Sequence, residues 1–289
     1  MKYIHKALLS ILTAAMVVAV VWIYGISWEY YELPLLDRPH HPIHKLWKPG
    51  GTIGHGLGIT GTVMILLMLS YTLRKRLRGL ERVGYLSTWL KYHIFFGIAG
   101  PILVTFHTAF KFGGLVSISY WSMVAVALSG FVGRYLYVKV PRKLSGEELS
   151  RREMEEYHTE LSRQLSAEYS LSESTMRLIS ETTASYSSPS SGFAVFFRMI
   201  VFDITARLKI NRLCDTLIEE HNIPRGRLRE FRSLVNKMIS AEHKIAFWTA
   251  TNKLFHHWHV VHKPFAYTMI VIMIVHIITT VTFGYRWIF

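Results

Sequence analysis

Five apolar runs, each close to the roughly 20 residues a helix needs to cross bilayer hydrocarbon, constrain this 289-residue chain more than any other feature. They lie at about 7–27, 53–73, 90–110, 117–138 and 262–284. In lipid, backbone N–H and C=O groups can pair only with one another, so apolar runs of this length read as transmembrane α-helices. The expected fold class is an all-α integral membrane protein with five spans, multi-pass and in contact with membrane lipid. The chain then divides into an N-terminal transmembrane anchor at 1–28, an outer loop at 29–52 and spans two to four at 53–140. A helical insert at 141–255 and a fifth span at 256–289 complete it. The first run follows Lys2 and Lys6 but is long and lacks a small-residue cleavage site, which predicts a retained anchor rather than a secretion signal.

The net charge of +14 does not argue for a nucleic-acid partner, because Lys and Arg cluster at the ends of the apolar runs. Arg74-Lys75-Arg76-Leu77-Arg78 and Pro141-Arg142-Lys143 fall on one side, together with the N-terminus. The positive-inside rule assigns that side, and the insert, to the cytoplasm of a bacterial-type inner membrane, with the C-terminus outside. Cys214 is the single cysteine, which excludes a disulfide framework, a cysteine-held iron–sulfur cluster and a C-x-x-C-H haem attachment site.

The insert reads as helical throughout. Ser145-Gly146-Glu147-Glu148 fits a capping box opening a helix to about Ala167, and Ser185–Gly192, containing Pro189, marks a linker. The apolar stretch Phe193–Phe202 is too short to span. Three readings remain open for it: lying on the inner leaflet, docking onto another subunit, or forming the core of a small helical domain. A last amphipathic helix from Gly226 is expected to lead straight into the final span.

The chemistry-bearing residues are histidines inside spans. His93 and His107 lie on the third, His262 and His276 on the fifth, and both pairs are fourteen residues apart. At 100° per residue each pair returns to one helix face, about 21 Å apart along the axis. Both helices leave the cytoplasmic side, so His93 should face His262 and His107 should face His276. Each facing pair can supply two axial imidazoles to a haem iron, and the expected cofactors are two b-type haems. Gly97 and Gly100 fall near the ligand face, where a missing side chain leaves room for a porphyrin.

Two membrane helices each bearing His-x13-His resemble the membrane domain of the ferric reductase and NADPH oxidase superfamily. The resemblance covers about 53–138 plus 256–284, and implies a four-helix haem-binding bundle with His93, His107, His262 and His276 as axial ligands. This chain departs from that pattern in its long insert and in having no flavin or nicotinamide domain after the last helix. Gly56-Leu57-Gly58-Ile59-Thr60-Gly61 fits the dinucleotide fingerprint by letter, but opens a membrane helix without a preceding strand. Its glycines read instead as a packing surface, with Gly54 and Gly58 as a G-x-x-x-G face.

Several further residues have two readings. His55, near the outer end of the second span, lines a quinone pocket, stands close to the outer haem, or simply meets headgroups. His40, His41 and His44 invite a metal-site reading, but Pro39 and Pro42 break the helix such a site would use, which favours solvated loop residues. His259 is the rival of His262 for the inner ligand position. Arg134 and Arg142 read as haem-propionate partners or as positive-inside anchors. Trp22, Trp28, Trp47, Trp121 and Trp287 read as aromatic-belt residues.

The sum is a di-haem b-type cytochrome passing electrons between a quinol or cytoplasmic donor and an outward acceptor, within a larger redox complex with partner proteins on one or both faces. The alternative is a haem-free metal transporter or sensor using the outer histidines. Carboxylates, which a cation path needs, are nearly absent from the spans.

Overall fold

The computed structural model describes residues 2–80, 82–139, 150–172, 174–177, 179 and 193–283; among these the regular structure is helical, with no strand. The predicted capping box at 145–148, the linker at 185–192, the run 141–143 and Trp287 lie outside the described residues. Five helical stretches are long and apolar enough to cross a membrane: Tyr3–Glu32, His44–Arg76, Leu86–His107, Val116–Lys139 and Ala250–Thr282. The chain divides into two compact units, residues 1–132 with 260–289, and residues 133–259.

In the first unit, α1 (Lys2–Glu32) is followed by a short α2 (His44–Trp47), α3 (Thr52–Met68) and α4 (Ser70–Arg76). Then come α5 (Leu86–His107), most of α6 (Val116–Lys139) and the greater part of α10 (Trp248–Thr282). The second apolar run is thus not one helix: α3 ends at Leu69 and α4 restarts at the next residue. Glycine sets the closeness of α3 to α5. Gly61 and Gly100 lie so that a Cβ on either would meet the other's carbonyl oxygen at 3.1–3.2 Å, so backbones approach where side chains would hold them apart. Met68 lies level with His93 and Gly54 with His107, fourteen residues apart on each helix and in opposite order, so the two run antiparallel in exact register. Helix α6 is antiparallel to α10, since Ser119 bonds the Met269 carbonyl while Ser129 meets His262. Methionines fill the centre of this bundle: Met68, Met123, Met269 and Met273 pack with Ile65, Phe96 and Val104.

Residues 29–52 are not a loose, solvated connection. Tyr30, Tyr31, Trp47 and Ala109 form a second apolar cluster with Leu103 and Phe106. Arg38 is buried there and donates three hydrogen bonds to carbonyl oxygens: Nε to Leu33, Nη1 to Ala109 at 2.5 Å, and Nη2 to Tyr31 at 2.7 Å. Its guanidinium also lies 5.5 Å from the centre of the Tyr30 ring. Trp47 is therefore a core residue rather than a belt residue, whereas Trp22, Trp28 and Trp121 are exposed as expected of a belt. Of the loop histidines, His40 is exposed, but His41 and His44 are half-buried against Tyr30, whose hydroxyl meets His44 Nδ1 at 3.1 Å.

The second unit contains α7 (Arg151–Tyr169), α8 (Phe193–Glu220) and α9 (Leu228–Ala246). Ser150 and Glu153 form the capping box that opens α7, each side chain pairing with the other's backbone N–H. Helix α9 buries Phe231, Leu234, Val235, Met238 and Ile239, an i, i+3, i+4, i+7, i+8 face packed against Leu161 and Leu165 of α7 and Ile210, Cys214 and Leu217 of α8. Asn222, with φ of 50°, ends the α8 turn in the left-handed conformation, and Ile223 N–H closes back on the Ile218 carbonyl. The amphipathic helix does not lead straight into the final span. It stops at Phe247, and α10 begins at Trp248.

Candidate histidine site

Imidazoles in hydrocarbon need partners, and three of the four span histidines meet theirs through the same atom. His107 Nδ1 lies 2.8 Å from the Gly54 carbonyl and His93 Nδ1 lies 3.0 Å from the Met68 carbonyl. A carbonyl only accepts, so each Nδ1 carries the proton and each Nε2 keeps its lone pair. His262 Nδ1 pairs with Ser129 Oγ at 2.7 Å. An Nδ1 held by a backbone or hydroxyl group is the usual orientation of a histidine that ligates a metal through Nε2.

The ring centroids of His107 and His276 are 6.4 Å apart, inclined by 59°. Two imidazole nitrogens bound at about 2 Å on opposite sides of one metal hold their ring centres about 6 Å apart. The spacing therefore suits a shared ligand position. Gly58 makes the seat: a Cβ there would lie 2.6 Å from His107 Nδ1 and 2.8 Å from Cγ. Gly54 supplies the carbonyl, and a side chain on it would strike the Lys48 carbonyl. The G-x-x-x-G face thus packs as predicted, but its partner is an imidazole as well as a helix. That role for Gly58 was not readable in the sequence, which gives no neighbour across helices.

His55 stands beside this pair, its ring centre 6.4 Å from that of His107. Nearby, the chain after His107 turns through Ala109 and Phe110 at φ of 48° and 57°, a left-handed pair without glycine. Such a turn persists only where its surroundings hold it, and Arg38 does so through the Ala109 carbonyl.

His93 packs against Tyr71 at 5.2 Å between ring centres, and His262 is held by Ser129. His259 turns its Nδ1 back to the Phe255 carbonyl of its own helix, and His262 meets Ser129 of a second span. Gly97 and Gly100 both face α3. A Cβ on Gly97 would meet Met68 Sδ at 3.2 Å and one on Gly100 would meet Ile65 at 3.0 Å, so both serve the close packing of α5 on α3. Arg134 is exposed, with its guanidinium 5.9 Å from the Tyr137 ring centre, a contact in keeping with an anchor. Arg142 lies outside the described residues. Among the described residues no three His, Cys, Asp or Glu side chains converge as a metal-ion site, His40, His41 and His44 included.

These features define a class only: an all-helical chain with five helices fit to cross a membrane and paired histidines within them. No family model, curated protein or solved structure matches the chain.

Proposed function

We propose that this protein is a di-haem cytochrome b of the ferric reductase type, its bundle formed by the second to fifth spans. His107 with His276 hold one b-type haem and His93 with His262 the other. The observation that carries this reading is the 6.4 Å separation of the His107 and His276 rings, with His107 already oriented by the Gly54 carbonyl. When bound, such haems supply one-electron exchange at iron. The chain's own residues select the ligating tautomer: Gly54 and Met68 accept the Nδ1 protons of His107 and His93, and Ser129 positions His262. Apolar and methionine side chains between the tiers exclude water from the path.

In this reading electrons come from a quinol or a cytoplasmic reductase and leave to an outward acceptor, within a larger redox complex in a bacterial-type inner membrane. His55, whose ring centre is 6.4 Å from that of His107, is the residue this reading assigns to a quinone or acceptor. The test is a dithionite-reduced minus oxidised spectrum of the purified protein, with a pyridine haemochrome stoichiometry. Two low-spin b-type haems per chain are expected. Well-folded protein without haem, from haem-replete cells, would overturn the reading in favour of a haem-free transporter or sensor.

A further inference from the structure

Helix α8 has two apolar faces where a helix of a small water-surrounded domain needs one. Met199, Phe202, Ile210, Cys214 and Leu217 are buried. On the opposite side Phe197, Val201, Ile204 and Leu208 are 63%, 49%, 69% and 65% exposed. Their spacing of four, three and four residues makes a single stripe. Continued along the helix, that face reaches Asp215 and Glu219, both exposed, so its apolar character stops within about three turns. The stripe is about 17 Å long, roughly half the thickness of bilayer hydrocarbon, and cannot be a span.

Charge identifies what fits it. Between residues 193 and 212 the sequence has four cations, Arg198, Arg207, Lys209 and Arg212, against one acid, Asp203. That acid is already engaged, accepting hydrogen bonds from Tyr135 at 2.7 Å and from Lys139. An apolar stripe on a helix segment of net positive charge, in a protein with five helices fit to cross a membrane, complements an anionic lipid surface. We propose that α8 lies in the plane of the bilayer, with Phe197, Val201, Ile204 and Leu208 in the acyl boundary and its cations among anionic headgroups. The acidic turn at Asp215 and Glu219 is where the helix leaves the lipid. This inference rests on the membrane character of the protein and is independent of haem.

The full-length protein in nanodiscs of phosphatidylglycerol and phosphatidylcholine tests it. In a Cys214→Ser background, a fluorophore is attached at Ile204→Cys, at Leu208→Cys, and at Glu219→Cys as the water-facing reference. Quenching by nitroxide-bearing lipid several-fold stronger at 204 and 208 than at 219, with the reverse order for aqueous iodide, is the expected result. Equal iodide quenching at all three positions overturns the proposal. So does shielding from both quenchers with energy transfer between copies, which would make a second copy of this chain the occupant. Because Cys214 is a core residue, the wild-type chain is also cross-linked with a photoactivatable phospholipid. Lipid adducts within 197–208 are expected, and their absence there, with adducts present in the spans, also overturns it.

Discussion

In the unit that contains the spans, His93 and His107 give Nδ1 to backbone carbonyls of a neighbouring helix. In the helical unit, His243 is buried differently. Its ring stacks on Phe202 at 3.9 Å between centres and lies tilted against Phe247 at 4.6 Å, and its Nε2 is buried without a hydrogen bond. Burial, with Lys139 adding to it, lowers the pKa of His243 to about 4. A ring flanked by aromatic faces is serving as a packed core side chain. A ring whose tautomer is fixed, with a second imidazole 6.4 Å away, is the one to which the proposed function assigns a ligand. Polarity at the ring nitrogens, rather than burial itself, separates the two.

The strongest way to break this comparison is to remove ligands. His107→Ala and His276→Ala should each reduce haem content from two per chain to one, and His93→Ala and His262→Ala should do the same for the other haem, read by pyridine haemochrome. Full occupancy in all four variants would sink the assignment. Gly58→Ala should come next, because the added methyl must push the His107 ring from its seat; loss of one haem, with the other retained, is expected. Gly97→Ala, which meets only the flexible Met68 thioether at 3.2 Å, should leave both in place.

A third effect concerns His243 and has a definite sign. Its folded-state pKa lies below the ordinary 6.5, so the unfolded chain takes up the proton first as pH falls. Stability of the helical unit is therefore full above about pH 6.5 and declines toward pH 4, by up to about 3 kcal/mol. His243→Phe should abolish that dependence, as read by thermal unfolding across the window; an unchanged pH profile would refute the packed-histidine account. The smallest expected effect is that of Ser129→Ala, which removes the partner of His262 Nδ1 and should weaken haem affinity at that tier about 10–100-fold. His259→Ala should have no such effect in the same titration.

Much of this fold was legible because lipid leaves so few solutions for a backbone. The apolar runs gave the helices to within a few residues, apart from α1 and α10, which extend further. What escaped was local interruption and long-range contact. The breaks at Leu69 and Phe247 carry no glycine or proline to mark them in the sequence. The capping pattern S-x-x-E occurs at Ser150 as well as at Ser145, and pattern alone does not rank the two. For the site, the fourteen-residue spacing identified which histidines matter, but not that α3 backbone carbonyls orient two of them. The role of Arg38 has no sequence signal because its acceptors at Tyr31, Leu33 and Ala109 meet only in three dimensions.

Arg38 also ties the 29–52 segment to the turn after α5. Its guanidinium is matched only when the Ala109 carbonyl, made 71 residues later, has arrived. Until then the guanidinium is left with part of its hydration to keep, and closing the 29–52 segment over it is costly. Closure of the 29–52 segment over Arg38 is therefore coupled to the turn that follows α5. The segment closes as a latch, and only over a bundle whose third helix has already reached its full length.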